Sequence, residues 1–308
     1  MVYHEVRERK SIKYNYLVHN ERIGGKWKKF SKYIGKGDIS KTKIQTEIEK
    51  FKKELLEEAH YLFLTPQEVK EIEDLRSRFN EYLLKAGKNG IESFKEWFFT
   101  ELTYNSNAIE GNTLSLRETS SIINENITPE GATLRELNEA KNHKEALEFL
   151  EMYRGELNES LILKLHSFIL KNIDNKNAGK YRKIQVFIRG SPFVPTSPVK
   201  VPMLIKDLVK WYKDNKKKYH PLELAILVSM KFVTIHPFID GNGRVSRLIM
   251  NFLLKKKNYP EINLYVRLRN PYLAAVEKAN KENYSEIVDF ALYTLKKNYE
   301  FLYESKTK

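Results

Sequence analysis

The sequence predicts a mostly α-helical protein with a small basic β piece at its N-terminus. From about residue 40 onward, apolar residues recur at spacings of three and four in one segment after another, as amphipathic helices require. Before residue 40 the period is two: SIKYNYLVHNERIGGKWKKFSKYIGKG (11–37) alternates aromatic or aliphatic residues with polar ones. No internal repeat and no low-complexity tract interrupts this plan.

Taken in order, the alternating stretch is punctuated by Gly24-Gly25 and reads as a β-hairpin with room for one more strand. Residues 1–40 carry ten Lys/Arg against four Asp/Glu, interleaved with Tyr, Phe and Trp. Such a surface can bind nucleic acid. No DNA- or RNA-reading motif accompanies it, and a half-buried strand pair with a solvated face explains the same residues more simply. KIQTEIEKFKKELLEEA (43–59) is the first helix. Thr65-Pro66-Gln67-Glu68 starts the second, with Thr as N-cap, Pro at the first position and Glu three residues after the cap. It runs to about Ala86, where Gly87 and Gly90 end it. Further helices are expected at about 91–109, 116–125, 133–154, 159–172, 201–216, 220–235, 243–257, 270–280 and 284–304. Residues 184–194 break the pattern: KIQVFIRGSPFVP is β-branched and aromatic, then turns at Gly190 and the prolines, as a short hairpin would. The division implied is a basic N-terminal region, 1–90, of unassigned role, and a helical body, 91–308.

Composition bounds the function. The chain has 308 residues, 41% of them hydrophobic and 31% charged, which suits a soluble globular protein with a sizeable core. Its net charge of +14 favours anionic partners, though the excess is spread along the chain as a Lys-rich surface would spread it. There is no cysteine, so disulfides, thiolate catalysis and Cys-ligated zinc are excluded. No apolar stretch reaches the ~18 residues of a membrane span. The opening MVYHEVRERK lacks the apolar core of a signal peptide. These features point to the cytoplasm and away from membranes.

One stretch carries chemistry. LELAILVSMKFVTI (222–235) is apolar nearly all round, the mark of a buried central helix. It delivers His236 to its end, and Pro237 stops it. HPFIDGNGRVSRL (236–248) follows. Gly241-Asn242-Gly243 allows a tight turn whose amides can converge on one anion, and the next helix starts at about Gly243, so its positive end faces the same anion. Arg244 and Arg247 lie three apart on that helix. Asp240, beside the cradle, is placed to hold Mg2+, which takes one or two carboxylates plus phosphate oxygens and waters. His236 is left as a candidate general base. Taken singly, each part has an ordinary structural use; their order is what is specific. His143 and His166, within helices, read as core or surface residues, and no His pair has metal spacing. The lysine clusters 216–218 and 255–257 read as helix-end cations.

HPFIDGNGRVSR resembles the Fic family (filamentation induced by cyclic AMP) at every position of its HPFx[D/E]GNGRxxR motif. SNAIEGN (106–112) resembles that family's inhibitory motif, [S/T]xxxE[G/N]. GKYRKIQVFIRG (179–190) resembles its flap, and RNPYLAAVEKAN (269–280) the segment that closes the adenosine side. The resemblance covers roughly residues 95–300, in the order of family members whose inhibitory helix, here about 98–110, precedes the core. It leaves the hairpin at 1–40 outside.

The resemblance implies a Fic-type helical core and a self-inhibited protein adenylyltransferase. Such an enzyme moves AMP from ATP to a Ser, Thr or Tyr hydroxyl of a protein, itself included, and releases pyrophosphate. By resemblance His236 takes the hydroxyl proton and Asp240 holds Mg2+ against the α- and β-phosphates. Gly241, Asn242 and Gly243 form the anion hole, Arg244 adds positive charge and Arg247 grips the γ-phosphate. The nucleotide contacts extend to Val245 and Ser246, to Val186, Phe187, Ile188 and Arg189 of the flap, and to Tyr272, Leu273 and Asn280. Ser106 and Glu110 lie four apart on one helix face, and Glu110 sits where Gly111-Asn112 end the helix, a position the dipole disfavours without a cation nearby. The family supplies one: Glu110 would pair with Arg247 and deny it to the γ-phosphate. In some members the same glutamate supports AMP removal. The alternatives are a Fic enzyme that transfers phosphate or another nucleotide, and a nucleic-acid-binding or adaptor protein acting through the basic hairpin. A homo-oligomer is compatible with all of these.

Overall fold

The computed structural model describes residues 2–23, 26–57 and 62–304. Among them no helix is long and apolar enough to cross a membrane. The chain forms two compact units. One comprises the N-terminal sheet, its helix and the connection Asn215–His220; the other comprises residues 63–214 and 221–308. The boundary between these units falls near residue 62, because the helix beginning at Pro66 runs within the larger one.

In the smaller unit, β1 (Val2–Arg9), β2 (Ile12–Ile23) and β3 (Lys26–Lys36) form an antiparallel sheet in the order β1-β2-β3. The additional strand is therefore upstream of the expected hairpin. Lys10 and Ser11 both have positive φ (49° and 59°), which gives the two-residue β1–β2 turn the twist that matches its strands. The expected Gly24-Gly25 turn lies outside the described residues. α1 (Lys41–Glu57) covers one sheet face, where Leu17 and Phe51 pack with Val2, Phe30, Ile34, Ile44 and Ile48.

The larger unit is helical: α2 (Pro66–Ile109), α3 (Leu116–Asn124), α4 (Leu134–Met152), α5 (Glu159–Ile169), α6 (Val201–Asn215), α7 (Pro221–Ile235), α8 (Asn242–Lys255), α9 (Arg269–Ala279), α10 (Ser285–Asn298) and α11 (Phe301–Glu304). Capping boxes start three of them, with Thr65/Glu68, Ser115/Glu118 and Thr133/Glu136 each exchanging both bonds. α2 is two helices joined at Gly87, whose φ of 63° and ψ of −176° no helix admits, so the expected break stands there. The last helix also divides. Asn298 turns its side chain to Asn263, accepting from its N at 2.8 Å and donating to its O at 3.1 Å, and the chain restarts at Phe301.

α7 is buried on all sides, from Leu222 to Met230 and on to Phe232 and Val233. Burying a Leu or Phe side chain contributes about 1.5–3 kcal/mol, so this helix is firmly anchored in the unit. It presents the 236–241 loop at its C-terminus, and α8 returns against it.

The stretch 184–194 makes the expected turn, with Ser191 N donating to Ile188 O at 3.1 Å, but its arms form no ladder. Pro192 and Pro195 have no amide proton to donate. Phe193 N donates locally to Ser191 Oγ at 3.2 Å instead of across the arms.

Candidate active site

The last turn of α7 leads into His236, whose N still donates to Phe232 O at 3.1 Å. His236 then adopts φ 50°, a left-handed conformation that an L-residue keeps only where its surroundings impose it. Arg182 imposes it. This side chain, 2% exposed, donates from Nε to His236 O at 2.8 Å, while Arg182 N donates to Pro237 O at 3.0 Å. Its remaining nitrogens reach Ile184 O (3.1 Å) and Thr196 O, one on each arm of the flap. A single guanidinium thus ties both arms to the histidine. The His236 Nδ1 is buried with no hydrogen-bond partner among the described residues. Burial pushes the imidazole down to about 4, aided by the Arg182 charge and opposed by the Val233 carbonyl, Glu110 and Asp240. At pH 7 it is neutral and has a lone pair to offer.

The loop is braced from within. Asn242 Oδ1 accepts from Phe238 N at 3.0 Å and its Nδ2 donates to Phe238 O at 2.9 Å. The Asn242 side chain therefore shapes the turn rather than facing an anion. Gly241, at φ 80°, has Ile169 Cγ2 3.0 Å from where a Cβ would stand. The first turn of α8 leaves the amides of 242–244 for an anion. Val245 does not join them, since its N is spent on Gly241 O at 3.0 Å and its side chain is fully buried. Ser246 is likewise turned inward, with its hydroxyl donating to Ser229 O at 3.0 Å.

The mouth of this cradle is already covered. A methyl group at Gly243 would overlap Glu110 Oε1, so the carboxylate lies directly on the backbone at the start of α8. Arg247 holds it there: NH2 donates to Glu110 Oε1 and to Ser106 O, both at 2.8 Å, and Nε donates to Ser106 Oγ at 3.0 Å. Buried Tyr272 lies beside this pair. Glu110 is the C-cap of α2, and the Ile109 carbonyl next to it accepts from Arg269 Nε at 2.8 Å, which offsets the negative helix end.

Asp240 is occupied by donors. Gly241 N (2.6 Å) and Arg244 NH2 (3.1 Å) reach Oδ1, and Arg135 NH2 (2.5 Å) reaches Oδ2. Their charges and hydrogen bonds hold its carboxyl below the usual range despite burial, the largest influence, which raises it. Among the described residues, no three His, Cys, Asp or Glu side chains gather as a metal cage. One half-exposed carboxylate beside an anion cradle suits Mg2+, which needs few protein ligands, and does not suit zinc.

The outer residues are less closely engaged. Along the flap, Val186 and Ile188 are half-buried while Phe187 and Arg189 are exposed, so the period-two alternation survives without a ladder. Leu273 is exposed, and Asn280 Oδ1 accepts from Thr234 Oγ1 at 2.9 Å at the edge of a cavity of about 570 Å³.

A family model, described as the Fic/DOC family, matches residues 156–254, which include the flap and the whole His236–Arg247 loop. The chain carries a Fic domain. Over 218 residues it is 34% identical to protein adenylyltransferase fic-1 of Caenorhabditis elegans, covering 69% of this chain and 42% of that protein. It is also 34% identical over 200 residues to protein adenylyltransferase Fic of Drosophila yakuba, covering 64% and 40%. The chain thus spans about two fifths of the length of these curated relatives. Among solved structures, a Fic domain containing signaling protein from Bacteroides thetaiotaomicron superposes with a TM-score of 0.68 at 28% identity, covering 75% of this chain and 95% of that one. Fic-1 from C. elegans superposes with a TM-score of 0.67 at 27% identity, covering 85% and 74%.

Several residues at the Fic site escaped the sequence reading. Arg182 lay within the quoted flap segment without a role. Arg135 and Glu139 look in sequence like an ordinary i,i+4 surface pair. His166 passes for a core histidine, yet it joins two parts of the site. Its Nδ1 accepts from Gly179 N at 3.0 Å at the flap's root, so Nε2 carries the proton and donates to Asp240 O at 3.1 Å. Stacked on Phe238 with centroids 3.6 Å apart and pushed down to about 4 by burial, it is neutral.

Proposed function

We propose that the chain is a protein adenylyltransferase that holds itself inactive. The observation that carries this reading is the Glu110 carboxylate lying on the Gly243 backbone and paired with Arg247, beside a buried His236 Nδ1 that has no partner among the described residues. The anion cradle, the cation for its outer end and the proton acceptor are assembled, and an acidic side chain of the same chain closes them.

In the reaction, a Ser, Thr or Tyr hydroxyl of a protein attacks the α-phosphorus of ATP. A new P–O bond forms, the bond to pyrophosphate breaks, and the hydroxyl proton passes to neutral His236. The amides of residues 242–244 and the Arg244 charge stabilise the negative charge that builds on the phosphate oxygens. Arg247, once parted from Glu110, holds the γ-phosphate. When bound on Asp240, Mg2+ supplies further positive charge to the phosphates. Arg182 and His166 keep flap, histidine and loop in register, so that the attacking group and the phosphate meet in one geometry. The catalytic body is the stretch 91–308, its inhibitory helix is the end of α2 at about 98–110, and its setting is the cytoplasm.

Intact-mass spectrometry of the chain, alone and with candidate protein acceptors, after incubation with ATP and Mg2+ tests the reading. The expected result is a gain of one adenylate per modified hydroxyl. A gain of phosphate alone would replace the reading with phosphotransfer.

A further inference from the structure

The carboxylate assigned to the metal is one of four charges joined in a closed ring. Arg135, on α4, donates from NH2 to Asp240 Oδ2 at 2.5 Å and from Nε to Glu139 Oε1 at 3.1 Å, one helical turn on. Glu139 Oε1 lies 3.1 Å from Arg244 NH1 as an ion pair, without the alignment of a hydrogen bond. Arg244 NH2 closes the ring on Asp240 Oδ1 at 3.1 Å. Two cations alternate with two anions, and the ring as a whole is neutral.

The two cations differ. Arg244 is built into α8 and 2% exposed, whereas the Arg135 side chain is 58% exposed at the end of a long flexible stem. The two oxygens of Asp240 differ as well. Oδ1 is engaged by fixed donors, the Gly241 amide and Arg244. Oδ2 is met by Arg135, the one member of the ring that can move into water without disturbing a helix or the loop.

We infer that Arg135 is a positioning residue that holds the metal's place on Asp240, and that Mg2+ binds by displacing it. The inference rests on the adenylyltransferase reading above. A guanidinium against Oδ2 repels an arriving divalent cation, and where it lies it obstructs the almost ideal octahedron of oxygens that Mg2+ demands. The exchange is nevertheless inexpensive. Arg135 leaves into solvent, Glu139 keeps Arg244 as counter-ion, and a divalent cation replaces a monovalent one. Before the metal arrives, Arg135 holds the carboxylate in place and neutralises it. This sets the metal affinity below that of an unguarded carboxylate. Glu139 stays anchored meanwhile, because its Oε2 accepts from Asn112 Nδ2 at 2.9 Å and its backbone O from Asn107 Nδ2 at 3.2 Å.

The test is calorimetric titration of the full chain with ADP across a series of Mg2+ concentrations, a readout independent of turnover. For the parent, Mg2+ tightens ADP binding, and Asp240→Ala removes that effect. For Arg135→Ala, the Mg2+ concentration giving half of the tightening falls about three- to tenfold, the range expected for removing one partly exposed ion pair and its repulsion. Arg135→Gln gives the same direction while keeping the length of the side chain, and thermal unfolding checks that both variants fold. A Mg2+ requirement that is unchanged or higher in both variants, with the Asp240 dependence intact, overturns this inference alone. ADP binding indifferent to Mg2+ in the parent overturns it together with the metal assignment.

Discussion

Glu110→Gly removes the carboxylate that lies on the cradle. Arg247 has three bonds into the end of α2, and the substitution deletes one of them, the 2.8 Å contact to Glu110; the two to Ser106 remain. A hydrogen bond between charged partners is worth about 1.5–3 kcal/mol when well shielded. Here the Arg247 side chain is 7% exposed but Glu110 is 36% exposed, so screening by water reduces the figure to about 1–2 kcal/mol. If that energy is what holds the arginine from the γ-phosphate, its loss raises the active fraction about five- to thirtyfold. The melting temperature should fall by a few degrees for the same reason. Arg247→Ala should not activate, because it deletes the inhibitory partner and the phosphate contact together, and the double variant should behave like Arg247→Ala. Auto-modification with labelled ATP, measured on all four proteins, reads the effect. A Glu110→Gly protein that binds nucleotide but is no more active than the parent would refute the inhibitory role and leave the pair as a helix-end salt bridge.

Two further outcomes follow from the geometry around the histidines. His236→Ala should keep its affinity for ADP, since the cradle does not use the imidazole, while adenylyl transfer drops about 10²–10⁴-fold; transfer at the parent rate would remove His236 as the base. His143, His166 and His236 are pushed down to about 3, 4 and 4, in each case chiefly by burial. Below pH ~6.5 the unfolded chain takes up protons at these positions that the folded chain refuses, so their contribution to stability is full above that pH and is lost progressively toward pH ~4. Urea unfolding across this window should show a slope approaching about three protons from these groups, and His166→Gln should lower it by about one.

The phosphate cradle was legible in the sequence because its parts are neighbours in the chain: helix stop, glycine turn and helix start are all local events. The break at Gly87 and the capping box at Thr65/Glu68 were legible for the same reason. The Ser106–Glu110–Arg247 contact was reached through family resemblance, since nothing local joins residues 141 positions apart. Arg135 was missed because its second partner, Asp240, lies 105 positions away, and in sequence Glu139 alone accounts for it. The flap shows the opposite error. Its alternation of buried and exposed residues is real, but alternation reports on burial and not on pairing, and two prolines and Ser191 decide the pairing.

If the proposed reading holds, Glu110 is, in effect, a ligand that the chain carries for its own anion site. A tethered ligand is never diluted. Its occupancy is fixed by an effective concentration that the length and stiffness of α2 set, and it does not change with the amount of protein. A free nucleotide competes at its own solution concentration. On the proposed reading, the balance between closed and open sites within one molecule is therefore set by nucleotide and Mg2+ rather than by dilution of the inhibitory group.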